Sequence, residues 1–328
     1  MISVCLKKLM RKIIYILAAV VLVLSACNKP KMKTGYVEVP TVTKNALSGV
    51  FNVLEPTSSV VKLYYEEAGQ GEPFILLHEQ TLDCRMWDDV FFKLAKSFRV
   101  IRYDLRGYGK SGSPESGYGY LYADDLKNLM DSLGIQKAHF AGLALGGMVL
   151  ADFVALYPEK VITATMTSGA LSDFPDRSQM PAELLKLYND TVYALKKNKV
   201  EELKEIGLNK YKQEWKLSIR SVTGKNYKDI SDRLNCMVDD WKGWQLLNPD
   251  IDPLIGYQAD RLLRNQKKHP RILLIIGLRD AMASKKSMQR MAAVCPDATI
   301  RLMPDAGHFT CMESPDEFIK KMLSFIHQ

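Results

Sequence analysis

Apolar residues in this chain fall into two kinds of stretch. Short runs at 98–104, 137–141, 161–167, 271–277 and 299–304 have the length of strands, and 73–78, a continuous apolar run, reads as a strand buried on both faces. Between them the spacing changes. Leu126, Leu129, Met130 and Leu133 fall at i, i+3, i+4 and i+7, the pattern of an amphipathic helix. Residues 86–96 read as a helix as well. Residues 146–156 are almost wholly apolar and too long for a strand, so they read as a buried helix. Residues 60–67 are rich in β-branched and aromatic side chains and run into Gly69-Gln70-Gly71, which predicts a strand and a hairpin. Near the C-terminus, Ser314-Pro315-Asp316-Glu317 has the form of a capping box with proline at the first helical position. The helix after it carries Phe318, Ile319, Met322, Leu323 and Ile326. Strands alternating with helices predict an α/β fold, with a mostly parallel central sheet covered on both faces.

One long interval breaks this alternation. Residues 172–268 read as a helical insertion, with Leu184, Leu187, Tyr188, Val192 and Leu195 at helical spacing. Trp215, Trp241 and Trp244 are expected in its core, with room for one at a pocket mouth. The core proper is then 57–171 together with 269–328.

The N-terminus follows a different logic. Lys7, Lys8, Arg11 and Lys12 precede an apolar run of twelve residues, 13–24. That is shorter than the roughly 20 residues needed to span a bilayer, and it has the length of a signal-peptide core. Leu24-Ser25-Ala26-Cys27 follows and resembles the bacterial lipoprotein cleavage box. The resemblance implies removal of residues 1–26, lipid on Cys27, and a chain anchored to a membrane of the cell envelope outside the cytoplasm. Asn28, in place of Asp, resembles outer-membrane rather than inner-membrane sorting in Gram-negative bacteria, while the sequence leaves the choice between the two membranes open. Residues 27–56 are polar, with scattered Pro, Gly, Lys and Thr, and read as a tether with room for a first edge strand at its end.

Composition narrows the classes. With 328 residues, 47% hydrophobic, the chain can bury a sizeable core. The formal net charge is +8, and the four basic residues of the leader account for half of it. A remainder of +4, without a basic run interleaved with aromatics, excludes a nucleic-acid footprint. Cys84, Cys236, Cys295 and Cys311 allow three full disulfide pairings, among which sequence does not choose. No Cys/His cluster has metal-ligand spacing, and no cofactor is expected.

Candidate chemistry centres on Gly142-Leu-Ala144-Leu-Gly146, between the 137–141 strand and the apolar helix. Around it stand His78 at a strand end, Asp104-Leu-Arg106-Gly107-Tyr-Gly109-Lys-Ser111, Gly277-Leu-Arg-Asp280, Ala306-Gly307-His308-Phe309 and Glu313-Ser-Pro315. In this order the motifs resemble the α/β-hydrolase family, whose elbow Gly-x-Ser-x-Gly carries a nucleophile and whose triad runs nucleophile, acid, histidine along the chain. The wording around 82–87 and 103–107 is most similar to its esterase and lactonase branch. The resemblance implies Asp280 as the acid, His308 as the base, backbone N–H groups of Gln80 and Leu145 as the oxyanion hole, and the insertion as a helical cap. It also implies a small, largely apolar, ester- or lactone-like ligand.

Two positions depart from the family. Ala144 stands where the nucleophilic serine belongs, and a methyl group cannot attack a carbonyl. Glu79 stands where the family has glycine, and an inward carboxylate would repel a developing oxyanion. Asp104 and Arg106 are expected to pair within the loop after their strand, as structural residues. Cys84 is expected to be a buried inert thiol rather than a substitute nucleophile.

Magnitude bears on the activity. Deleting the serine of a comparable triad costs about 10⁶-fold in turnover. From a typical ~10 s⁻¹ that leaves on the order of 10⁻⁵ s⁻¹. Two classes remain: a non-covalent binding or sensing pseudo-hydrolase, and an enzyme that uses His308–Asp280 as a general base on water or substrate.

Overall fold

The computed structural model describes residues 31–43, 56–113, 118–172, 180–248 and 253–328. The leader, the cleavage box and Cys27 lie outside the described residues.

The described strands are β1 (Lys33–Thr43), β2 (Pro56–Ala68), β3 (Pro73–Leu77), β4 (Arg99–Tyr103), β5 (Tyr118–Gly119), β6 (Ala138–Leu143), β7 (Val161–Thr167), β8 (Arg271–Gly277) and β9 (Thr299–Met303). They form one nine-stranded sheet in the order β5-β1-β2-β4-β3-β6-β7-β8-β9. From β4 to β9 across the sheet every pairing is parallel. The β2–β4, β1–β2 and β1–β5 pairings are antiparallel. All six residues of β6 are buried, as expected for a central strand covered on both faces.

Helices α1 (Asp88–Leu94), α2 (Tyr122–Ser132) and α3 (Leu145–Leu156) follow β3, β5 and β6. Between β7 and β8 come α4 (Ala182–Ile206), α5 (Leu208–Val222), α6 (Tyr227–Asp240), α7 (Trp244–Leu247) and α8 (Gln258–Asn265). After β8 come α9 (Met282–Val294), α10 (Thr310–Glu313) and α11 (Pro315–Ile326). Two apolar layers result. One packs Leu126, Val149, Phe153, Leu263 and Met291 against the sheet. The other packs Trp87, Phe91, Leu234, Phe318 and Met322 against the opposite face.

Several expectations are corrected. The hairpin after β2 does not form, because β4 lies between β2 and β3. Gly69 packs so tightly on the segment entering β4 that a Cβ there would strike the carbonyl oxygens of Phe98 and Ala95. The turn therefore seats β4 in the place a hairpin partner would take. The tether reading also yields over residues 33–43, which form the long strand β1. Val37, Val39 and Thr41 alternate inward at period two, a pattern thinned in sequence by the threonine and by Pro40. At α11 the proline sits in the first turn, but Ser314 makes no side-chain capping bond. Its N–H instead bonds to the Thr310 carbonyl, carrying on from α10.

The insertion is helical, but its end belongs to the core. Leu254, Ile255, Ala259 and Leu263 share the layer that covers α3, so the boundary with the core falls before residue 268. The spacing of Leu184, Leu187 and Leu195 does mark a helix, α4, yet all three are exposed. Trp241 is buried as expected. Cys84, Cys236, Cys295 and Cys311 are all free.

Candidate functional site

Ala144 joins β6 to α3 in a single residue, with φ 49° and ψ −105°. A side-chain-bearing residue there costs on the order of 1–3 kcal/mol of backbone strain, so the surroundings must hold it. They do. The Ala144 N–H donates to the Thr167 carbonyl at 2.8 Å, and its carbonyl accepts the Met148 N–H at 2.9 Å. The flanking glycines are steric requirements. A Cβ on Gly142 would collide with the Gly146 carbonyl, and one on Gly146 with the Leu77 carbonyl. The turn is therefore the sharp strand-to-helix reversal that the sequence pattern implies, with a methyl group at its apex.

Asp280 follows β8 and His308 follows β9, so two adjacent strands deliver them to the same end of the sheet as Ala144. His308 Nδ1 and Asp280 Oδ1 lie 2.9 Å apart. The other ring nitrogen, Nε2, faces Glu79 Oε1 at 3.8 Å. The histidine is thus flanked by two carboxylates. Burial alone would discharge the ring, but the Asp280 bond and, next, Glu79 outweigh it and hold His308 up to about 10. Burial pushes the Glu79 carboxyl up to about 7, offset in part by His308. Asp280 also accepts the Ala281 N–H at 2.6 Å.

Two residues given no role by the sequence fix the histidine loop. The Glu313 carboxylate accepts N–H groups on both sides of His308, from Gly307 and Phe309, each at 3.0 Å. It also accepts the Gly224 N–H, between α5 and α6, at 2.7 Å. The His308 N–H itself donates to the Val222 carbonyl at 2.8 Å. Ser168, at the end of β7 with φ 59°, donates its hydroxyl to the His308 carbonyl at 2.6 Å. Glu313 was visible only as part of a motif. Ser168 carried no local signal beyond its place at a strand end on the side of the sheet where ligands bind.

Glu79 is held from behind. His78 Nε2 accepts the Leu105 N–H at 2.8 Å, so its proton resides on Nδ1 and is donated to the Glu79 carbonyl at 2.7 Å. Burial lowers the His78 pKa and keeps that tautomer neutral. The Glu79 side chain points inward, as its chemistry made possible but its sequence could not settle.

Glu79, Gln80, Ala144, Leu145 and His308 all line one cavity of about 630 Å³ beneath the insertion. Met148, Ile219, Val222, Leu254 and Phe309 give it apolar walls. Leu145 is the first residue of α3, so its N–H has no partner within the helix and is available at the floor. Thr81, with φ 63°, and Trp215 close one side, the indole N–H donating to the Thr81 hydroxyl at 2.9 Å. Trp215 is thus the insertion tryptophan that reaches the pocket.

Other candidates stand apart from the cavity. Asp104 accepts the N–H groups of Cys84 and Lys110, each at 2.8 Å. Arg106 does not pair within its loop. It is fully buried, pairs with Asp125 on α2 at 2.5 Å, and donates to the Pro40 carbonyl of β1 at 2.8 Å. Burial pushes the Cys84 thiol well up, which leaves no thiolate for nucleophilic attack. Asp83, Cys84 and Asp104 cluster closely enough to suggest metal ligands. Their oxygens are already engaged, Asp83 by Arg85 and Asp104 by backbone N–H groups.

Residues 72–315 match the α/β-hydrolase fold family. A putative non-heme chloroperoxidase of Synechocystis sp. is 35% identical over 122 residues, 37% of this chain. The chain spans 44% of that relative's length and 58% of that of a second curated relative. A pimeloyl-acyl-carrier-protein methyl ester esterase of Pectobacterium atrosepticum is 24% identical over 80% of this chain and 98% of its own. Among solved structures, the enol-lactonase from Burkholderia xenovorans superposes with a TM-score of 0.64 at 21% identity, covering 82% of this chain and 97% of that one. The strand order, the elbow and the match over most of the chain agree: this protein belongs to the α/β-hydrolase fold family.

Proposed function

We propose that the chain is a non-covalent small-molecule binding or sensing protein, a pseudo-hydrolase of esterase and lactonase kinship. The observation that carries this reading is the setting of His308. Ala144 offers no hydroxyl for it to deprotonate, and its Nε2 faces Glu79. The carboxylates of Asp280 and Glu79 on its two edges favour the protonated ring, which has no lone pair to take a proton from water. The kinship supports a largely apolar ligand of ester- or lactone-like shape, and the cavity volume suits a small molecule. The leader and Cys27 support lipid attachment to a membrane outside the cytoplasm.

The intact 2.9 Å bond between His308 and Asp280 favours a second reading, a general-base enzyme without an acyl intermediate. Changing His308 to Ala separates the two. A binding protein keeps measurable ligand affinity and shows no turnover before or after the change. A general-base enzyme turns over aryl esters or lactones, and loses that turnover in the variant.

A further inference from the structure

Resting on the lipid attachment proposed above, we propose that the end of the domain where the parallel strands begin is a docking surface for anionic phospholipid. The cavity then opens away from the membrane and takes its ligand from the water phase. β1 pairs antiparallel with β2, and β2 antiparallel with β4, so β1 runs the same way as β4. Lys33 lies across from Glu67, and Glu67 from Ile101, close to the start of β4. The chain therefore enters the sheet at the end where the parallel strands start. Ala144, Asp280 and His308 follow the opposite ends of β6, β8 and β9, under the insertion.

Chain length decides which end meets the bilayer. Only residues 28–32 separate Cys27 from Lys33. Fully extended, that segment reaches at most about 20 Å. The six residues of β6 alone rise about 20 Å from one end of the sheet to the other, and a helical layer adds about 10 Å. An anchor attached where the strands begin is too short to lay the insertion on the same membrane. That excludes α4 as the membrane face, although Leu184, Leu187 and Leu195 are exposed on it.

Charge agrees with this geometry. Lys31, Lys33, Lys96, Lys137, Lys267 and Lys268 are all exposed, and they stand at or just before the starts of β1, β4, β6 and β8. Arg99 and Lys160 at the same end take up Glu67 and Asp131. The exposed side-chain acids left there among the described residues are Glu72, Glu159 and Asp297, and Glu72 faces His139. The positive balance attracts anionic headgroups within a Debye length, about 10 Å. The lipid already holds the domain at the surface, so even a weak attraction selects the orientation.

Lysine labelling tests this. The mature chain purified from membranes is rebuilt into vesicles of phosphatidylcholine alone, or of equal parts phosphatidylcholine and phosphatidylglycerol. Its lysines are acetylated with a water-soluble reagent and read by mass spectrometry. Compared with the chain in neutral detergent, Lys96, Lys137, Lys267 and Lys268 should react at least about fivefold more slowly in the phosphatidylglycerol vesicles. Lys186 and Lys197, exposed on α4, should react as before. Most of the protection should be lost in phosphatidylcholine alone, and in salt of about 1 M, where the Debye length is about 3 Å. Lys137→Glu combined with Lys267→Glu and Lys268→Glu should remove the protection of Lys96. Should that variant fail to fold, the two kinds of vesicle decide alone. Equal reactivity in both kinds overturns the docking surface while the lipid attachment stands. Protection of Lys186 and Lys197 instead puts α4 on the membrane and also overturns it. A mature chain without lipid on Cys27 that does not float with the vesicles overturns the attachment and the docking surface together.

Discussion

Nε2 of His308 lies 3.8 Å from the carboxylate of Glu79, on the ring edge opposite its bond to Asp280. In the family this chain belongs to, the corresponding nitrogen serves a serine hydroxyl. Here the serine is Ala144, and an acid from the loop after β3 faces the ring instead. The two departures from the family pattern therefore line the same cavity, beside the same histidine.

Restoring the hydroxyl should consequently be insufficient. Ala144→Ser places an oxygen on a turn that already holds its backbone, but a protonated His308 cannot take its proton. An organophosphonate that labels activated serines should label Ala144→Ser weakly. It should label Ala144→Ser combined with Glu79→Gly at least about tenfold faster, because the carboxylate facing Nε2 is gone while the Asp280 bond that orients the ring remains. Mass spectrometry of the adduct at position 144 is the readout, and equal labelling of the two would argue against the role given to Glu79.

Stability should depend on pH through the same pair. Both groups have pKa values raised by folding, so the folded chain holds these protons more tightly than the unfolded one. The Glu79 contribution is present below its ordinary 4.5 and is lost as pH climbs to about 7. That of His308 is present below 6.5 and is lost as pH rises through about 10. Urea unfolding midpoints should fall from pH 5 to pH 9, and Glu79→Gln should flatten the limb between 4.5 and 7.

Glu313 should act at a distance from the cavity. Glu313→Ala leaves the N–H groups of Gly224, Gly307 and Phe309 without their acceptor. At about 1–3 kcal/mol for each buried orphan, the total loss should be about 3 kcal/mol or more. Hydrogen exchange should quicken at those three amides first, since they join the cap to the histidine loop.

The Arg106–Asp125 pair should prove essential to folding. Asp125→Ala abandons a guanidinium with no solvent exposure, one of whose nitrogens, Nη1, already lacks a partner. Breaking such a buried pair costs about 3–5 kcal/mol. Urea denaturation should show it, and a change under about 1 kcal/mol would contradict the pairing.

Lipidation is checked independently of the fold. Mass spectrometry of membrane-extracted protein should find an acylated Cys27 as the first residue and nothing from 1–26. Soluble release with a different N-terminus would remove the membrane anchor.

The sequence by itself determined the alternation of strands and helices, the elbow and the missing nucleophile. Those features are local: a period of 2 or 3.6, or a glycine that a crowded turn demands, is written in consecutive residues. It also placed Asp280 and His308 in order, through motifs that sit at strand ends. Only the tertiary structure decided that β4 intrudes between β2 and β3, and that residues 33–43 join the sheet. The pairing partner of a strand is set by contacts far along the chain, which periodicity does not carry. The same holds at the site. Glu79 is legible as an anomaly in sequence, but its inward direction, its free oxygen and its hold on His308 depend on His78, Leu105 and Asp280. These come from separate elements, and they set the protonation of the histidine because folding buries them together.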